Sequence, residues 1–262
     1  MSEVRIFTPR GKQLSADYVV PVDSRGRCIV FVHSFLGDRH SAGWFDEIGA
    51  VYRGLGYQTL AVDLAGCGSS DDDVISLDHH IEDVRSVVSW VFDEGAARVG
   101  IHAHGFGATV SLRANLDRIS AMVLSGPVCG PTGVDWTKVF SEAQLDQLEE
   151  TGFAQIPGSP GEREAYVFSK QTLADLTLTD PHVLTEKVAV PVLLVHDRSD
   201  LESGLVELSQ QAFHLFPGGT HLEVLREAHF GAGPQAPDSG AAEFTRLTAD
   251  WFKYRMPPRP VD

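Results

Sequence analysis

The stretch Arg98-Val-Gly-Ile-His-Ala-His104-Gly105-Phe106-Gly107-Ala108 carries the most structural information in the chain. Its first half is a short apolar run of strand length. Its second half opens a helical pattern over Phe106–Leu116, and small residues, Ala103, Gly105 and Gly107, crowd the junction. A strand that turns this abruptly into a helix needs small flanking residues, because the turn leaves no room for side chains.

Working outward, five more apolar runs punctuate the chain: Arg27–His33, Tyr57–Leu64, Ile119–Pro127, Val190–Asp197 and Gly219–Arg226. Most are nearly continuous in Val, Ile, Leu and Ala, as strands covered on both faces are. Helix-like stretches at Phe45–Leu55, Leu77–Glu94, Leu201–Phe216 and Ala241–Tyr254 alternate with them. This alternation predicts an α/β fold, a mostly parallel central sheet wrapped on both faces by right-handed crossovers. Short strands near Val4–Thr8 and Ala16–Val22 are expected at an antiparallel edge. One interval breaks the rhythm. Residues 128–187 hold a helical piece (Ser141–Glu150), a turn at Pro157-Gly158-Ser159-Pro160-Gly161 and a second helical stretch (Glu162–Leu176). An insertion at a strand's carboxyl end lies over the ligand crevice of an open α/β sheet. The reading is therefore one domain, with a core formed by residues 1–127 and 188–262 and a small helical cap formed by 128–187. Trp136, Phe140 and Tyr166 are candidate substrate contacts in the cap, alongside Phe153 and Phe168, although each could equally pack the cap onto the body.

Composition narrows the function classes. The 262 residues carry 21 basic and 36 acidic side chains, a net charge of −15. Nucleic acid and anionic membrane both call for a basic footprint, which is missing. Cys28, Cys67 and Cys129 are too few and too widely spaced for a disulfide framework or a zinc knuckle. No basic-then-apolar leader opens the sequence, and no run approaches the roughly 18 apolar residues of a membrane span. The expectation is a cytoplasmic protein that acts on a small molecule without metal or other cofactor; a homodimer is left open.

Four motifs follow in order, each at a predicted strand end: His33-Ser34-Phe35-Leu36-Gly37; Asp63-Leu-Ala-Gly-Cys-Gly-Ser-Ser70; Ala103-His104-Gly105-Phe106-Gly107; and Asp197-Arg198-Ser199-Asp200 with, later, Ala228-His229-Phe230. Together they resemble the α/β-hydrolase superfamily, most of all its acyl-esterase and serine aminopeptidase-like branch. The resemblance implies an oxyanion loop with Ser34 in the usual glycine place, a nucleophile elbow at residue 105, an acid and a late histidine. It implies His229 as base and backbone N–H groups of Phe35 and Phe106 as oxyanion donors, with Ser34 and His104 near the substrate. Asp197 and Asp200 compete for the acid, and the motif register favours Asp200.

The nucleophile position is occupied by glycine. Gly105 has no atom with which to attack a carbonyl, so the usual acyl-serine route is closed there. Three function classes follow. The first is a His229–Asp200 enzyme that abstracts a proton or activates water (a lyase, cyclase, isomerase or cofactor-free oxygenase, or a hydrolase with no covalent intermediate). The second is a small-molecule-binding pseudoenzyme. The third is an ester or acyl hydrolase whose serine was mutated, or in which another group serves, Ser34 and Cys67 being the near candidates and Ser69 a further one. The His102-x-His104 pair lacks a third ligand and reads as strand packing. A dinucleotide reading of Gly105-x-Gly107 fails because position 110 is Val.

Overall fold

The computed structural model describes residues 2–158, 163–237 and 239–257. Its strands are β1 (Ser2–Phe7), β2 (Gln13–Val19), β3 (Arg27–Val32), β4 (Gln58–Val62), β5 (Val74–Ile75), β6 (Arg98–His104), β7 (Ile119–Ser125), β8 (Phe153–Pro157), β9 (Ala165–Ser169), β10 (Val192–His196) and β11 (His221–Val224). Its helices are α1 (Trp44–Gly54), α2 (Leu77–Asp93), α3 (Phe106–Arg113), α4 (Glu142–Thr151), α5 (Lys170–Thr177), α6 (Pro181–Thr185), α7 (Arg198–Glu202), α8 (Leu205–Ala212) and α9 (Ala241–Arg255). Eight strands form one sheet in the order β1-β2-β4-β3-β6-β7-β10-β11. β1 and β2 make the expected antiparallel edge, and the strands from β4 to β11 run parallel.

Every residue of β3 and β10 is buried, because helices cover both faces. Strand alternation sorts the core into two layers. Cys28, Val30 and Val32 of β3 pack with α2 (Val84, Val87, Val91) and α3 (Ala108, Val110). Ile29 and Phe31 point the other way, into α1 (Ile48, Tyr52) and α9 (Phe244, Phe252). Among the described residues no helix is long and apolar enough to cross a membrane.

The cap differs from the expected pair of helices. α4 is present, with Ser141 and Gln144 forming a capping box. Ala165–Ser169 of the second stretch, however, is strand, and helix begins only at Lys170. β8 and β9 pair antiparallel, and β9 pairs parallel with β5 of the body through Val74–Val167 and Ile75–Phe168. Thr172 Oγ1 donates to the Ile75 carbonyl at 2.6 Å, and Arg163 donates to the Gly68 and Ser70 carbonyls and pairs with Asp72. The cap is thus sewn to the body along β5. Residues 159–162, which include most of the expected Pro157–Gly161 turn, lie outside the described residues.

Burial also stores an acid sensitivity. Desolvation lowers the pKa of His33 and His104, and pushes His80 and His102 down to about 3 from the ordinary 6.5. Below pH 6.5 the unfolded chain therefore binds protons that the folded chain refuses, and stability falls with pH. Asp83, paired with Arg10 yet desolvated until its pKa reaches about 6, works in the opposite sense over part of this window, as do Asp175 and the half-exposed His40, whose pKa values are also raised; the four imidazoles outnumber them. The urea midpoint is expected to fall steadily from pH 7 to pH 4. His102→Phe is expected to remove one proton from the slope, about 1.4 kcal/mol per pH unit. Tyr52, which bonds His102 at 2.9 Å, retains Thr248 as a partner.

Candidate active site

β6 delivers the chain into the elbow. Gly105 has φ 52° and ψ −120°, a conformation that strains any residue with a side chain, and α3 begins at the next residue. Gly107 is required by contact: a Cβ there would lie 2.3 Å from the His33 carbonyl oxygen and 2.6 Å from that of Val32. The elbow therefore packs directly against the loop that leaves β3.

That loop is held in one geometry. The buried His33 donates from Nδ1 to the Ser34 carbonyl at 2.7 Å and accepts at Nε2 from the Leu64 N–H at 3.0 Å. Gly37 N–H also donates to the Ser34 carbonyl, at 3.0 Å. The buried Asp63 accepts from the N–H groups of Arg39 (2.7 Å) and Ser69 (2.9 Å), tying this loop to its neighbour. Fixed in this way, Ser34 projects its side chain over Gly105. Its Oγ accepts from the Phe106 N–H at 3.2 Å. A Cβ built on residue 105 would stand 2.2 Å from Ser34 Oγ and 3.0 Å from Ser34 Cβ. The Ser34 hydroxyl thus fills space that a side chain at residue 105 would need.

The acid position departs from the motif register. Asp197 caps α7, its Oδ1 accepting from Asp200 N–H (3.0 Å) and from the Ser199 hydroxyl (2.7 Å). Its Oδ2 accepts from Phe230 N–H at 2.6 Å and faces His229 Nδ1 at 3.9 Å. Asp200, the expected partner of His229, instead accepts from His196 Nδ1 at 3.0 Å, and Ser209 Oγ donates to His196 Nε2 at 2.8 Å. The reason is local: Asp197 and Asp200 form a reciprocal capping box, so the N-cap carboxylate faces the late loop and the N3 carboxylate turns back into the body. The carboxylate beside His229 is Asp197.

His229 is about half exposed, beside a 3₁₀ turn at Phe230–Ala232 that Trp44 secures by donating to the Phe230 carbonyl at 2.7 Å. His104 bonds through Nδ1 to the carbonyl and hydroxyl of Ser125 (3.1 and 3.0 Å). It also borders a void of about 10 Å³ beside Trp44, Phe45 and Phe230, room for a single water.

The aromatic candidates fall differently from expectation. Phe140 is buried, stacked between Trp136 (5.5 Å) and Phe168 (4.7 Å). Phe168 meets Phe35 edge-on at 6.4 Å, and Phe35 meets Phe106 at 6.1 Å. Trp136 and Phe140 therefore join a small core within residues 128–187 that meets Phe35 and, through it, Phe106. Tyr166 lies on β9, opposite Ile156, half-buried. The three cysteines are buried, and burial pushes every thiol up, Cys129 to about 11, so Cys67 is a poor nucleophile. Ser69 is exposed in the Asp63 turn. His102, two residues before His104 on the same face of β6, is fully buried between Phe31, Phe45 and Phe244 and bonds the Tyr52 hydroxyl. The His196–Ser209 pair escaped sequence reasoning because nothing in its spacing marks it.

A parallel sheet in this strand order, with a glycine-flanked elbow after β6 and a histidine loop after β11, defines a protein of α/β-hydrolase architecture. A profile described as the alpha/beta hydrolase family matches residues 29–238, and the chain belongs to that family. Solved structures agree in fold. The structure of DcsB in complex with its substrate analogue is similar at a TM-score of 0.75 and 18% identity, over 97% of this chain and 98% of that one. The alpha/beta hydrolase GrgF from Penicillium sp. sh18 is similar at 0.73 and 18%, over 97% and 98%. An esterase from Exiguobacterium antarcticum is similar at 0.70 and 18%, over 96% and 100%. No curated protein sequence matches the chain.

Proposed function

We infer that this chain is an enzyme that transforms a small carbonyl-containing substrate with His229 as its general base and with no covalent intermediate on residue 105. One observation carries the reading. The His229 imidazole stands half in solvent with its Nδ1 side toward the buried carboxylate of Asp197, 3.9 Å away. A carboxylate on that side favours the tautomer with the proton on Nδ1, which leaves Nε2 free to take a proton from substrate or water. The Phe106 N–H at the start of α3 is a donor for negative charge developing on a carbonyl oxygen. A base and a donor of this kind suit water-activated hydrolysis, elimination, cyclisation, isomerisation or cofactor-free oxygenation. The occurrence of esterases among the solved neighbours supports a carbonyl substrate class.

The test is His229→Ala, assayed on a panel of p-nitrophenyl esters, lactones and β-keto acids. Loss of about 10²–10⁴ in kcat/KM on whichever substrate turns over is the expected result. Turnover that survives the substitution would overturn the reading. A ligand-induced melting shift without turnover, equal in both proteins, would identify a binding protein instead.

A further inference from the structure

We propose that Ser34 is the nucleophile of this protein, an elbow serine transposed to the facing loop, and that the substrates are acyl esters. The proposal rests on the assignment of His229 as base and adds the covalent step that Gly105 cannot provide.

The argument is spatial. The serine and the glycine of the family pattern have changed places between two loops in contact: glycine stands at 105 and serine at 34. Loss of a catalytic serine by itself would leave a void above Gly105. Here the space is refilled by another hydroxyl, 2.2 Å from where the missing Cβ would sit. The Ser34 oxygen therefore lies within the space that a side chain at residue 105 would need. The Phe106 N–H reaches that oxygen at 3.2 Å. Among the described residues the Ser34 hydroxyl donates to no protein acceptor, and the residue is partly exposed. Its proton is therefore available to a base. A hydroxyl that already accepts a hydrogen bond also gives up its own proton more readily. The backbone around it is fixed by His33 and Gly37, which both donate to the Ser34 carbonyl. In this resting structure Ser34 and His229 make no hydrogen bond; such contacts often close only when substrate binds.

The chemistry balances without a co-reactant other than water. Ser34 Oγ attacks the ester carbonyl carbon while its proton passes to His229 Nε2. As the hydroxyl moves onto the carbonyl carbon, the fixed Phe106 N–H is left free to donate to the developing oxyanion. Collapse breaks the acyl–oxygen bond, and the departing alcohol takes the proton from His229. Water then attacks the Ser34 ester, gives a proton to His229, and releases the acid as Ser34 recovers its hydrogen.

The experiment uses the full chain with a fluorophosphonate probe and p-nitrophenyl acetate. One adduct is expected, mapped by mass spectrometry to the peptide containing Ser34. It is expected to be absent in Ser34→Ala and formed at least 100-fold more slowly in His229→Ala. Ser34→Cys, with the three native cysteines buried, is expected to gain a single iodoacetamide adduct whose rate also falls in the His229→Ala background. An adduct on any other residue overturns the proposal. So does His229-dependent turnover that survives Ser34→Ala, and that outcome leaves the general-base reading standing. Absence of both label and turnover, with no effect of His229→Ala, overturns both.

Discussion

Placing serine at the strand–helix junction by Gly105→Ser alone is expected to give a less stable protein with no gain in esterase activity. Two costs add. A side chain at φ 52°, ψ −120° carries strain of about 1–3 kcal/mol. Crowding adds a smaller cost: rotating the Ser34 hydroxyl relieves its 2.2 Å clash with the new Cβ at the loss of the Phe106 N–H bond, whereas Ser34 Cβ, 3.0 Å away, can give way only if the loop moves. That loop resists movement, because His33, Gly37 and Asp63 hold it. The double variant Ser34→Gly/Gly105→Ser removes the collision and keeps only the strain. It is expected to recover part of the lost stability and to take a fluorophosphonate at position 105. Urea melts and adduct mapping check both halves. If Gly105→Ser alone were stable and reactive, Ser34 would not be filling the elbow.

The second large effect separates two carboxylates three residues apart. Asp197→Asn is expected to lower His229-dependent turnover by about 10³–10⁴, the size of effect seen when a histidine loses the acid that sets its tautomer. Asp200→Asn is expected to change turnover less than about tenfold and to act on stability instead. Its carboxylate partners the fully buried His196, and weakening a hydrogen bond to a buried group costs about 1–3 kcal/mol. The kcat/KM on p-nitrophenyl acetate and the urea midpoint of each variant form the test. The reverse pattern would return the acid to Asp200.

The central sheet was legible because burial on both faces forces continuous apolar runs, and Arg27–His33, Arg98–His104 and Val190–Asp197 carry that mark. The elbow was legible for a different reason: Ala103 and Gly107 can be small only where two backbones nearly touch. The cap was less so. Ala165–Ser169 is too short to show a period, and its strand state comes from partners distant in sequence, β5 and β8. A two-residue strand such as Val74–Ile75 has no signature at all. The motif register pointed to Asp200, whereas the carboxylate facing His229 is Asp197, because alignment to a motif counts residues and a capping box decides which way each carboxylate faces. Trp136 and Phe140 looked like ligand contacts because an aromatic above a crevice and an aromatic inside a small core are the same letter. The closeness of Ser34 to Gly105 lies 71 positions beyond any local pattern, and only the folded chain brings it into view.

The described part of residues 128–187 is stitched to the body along one strand. With β9 laddered onto β5, Thr172 bonded to Ile75 and Arg163 reaching the Gly68 and Ser70 carbonyls, prising the two apart would break backbone hydrogen bonds as well as side-chain ones.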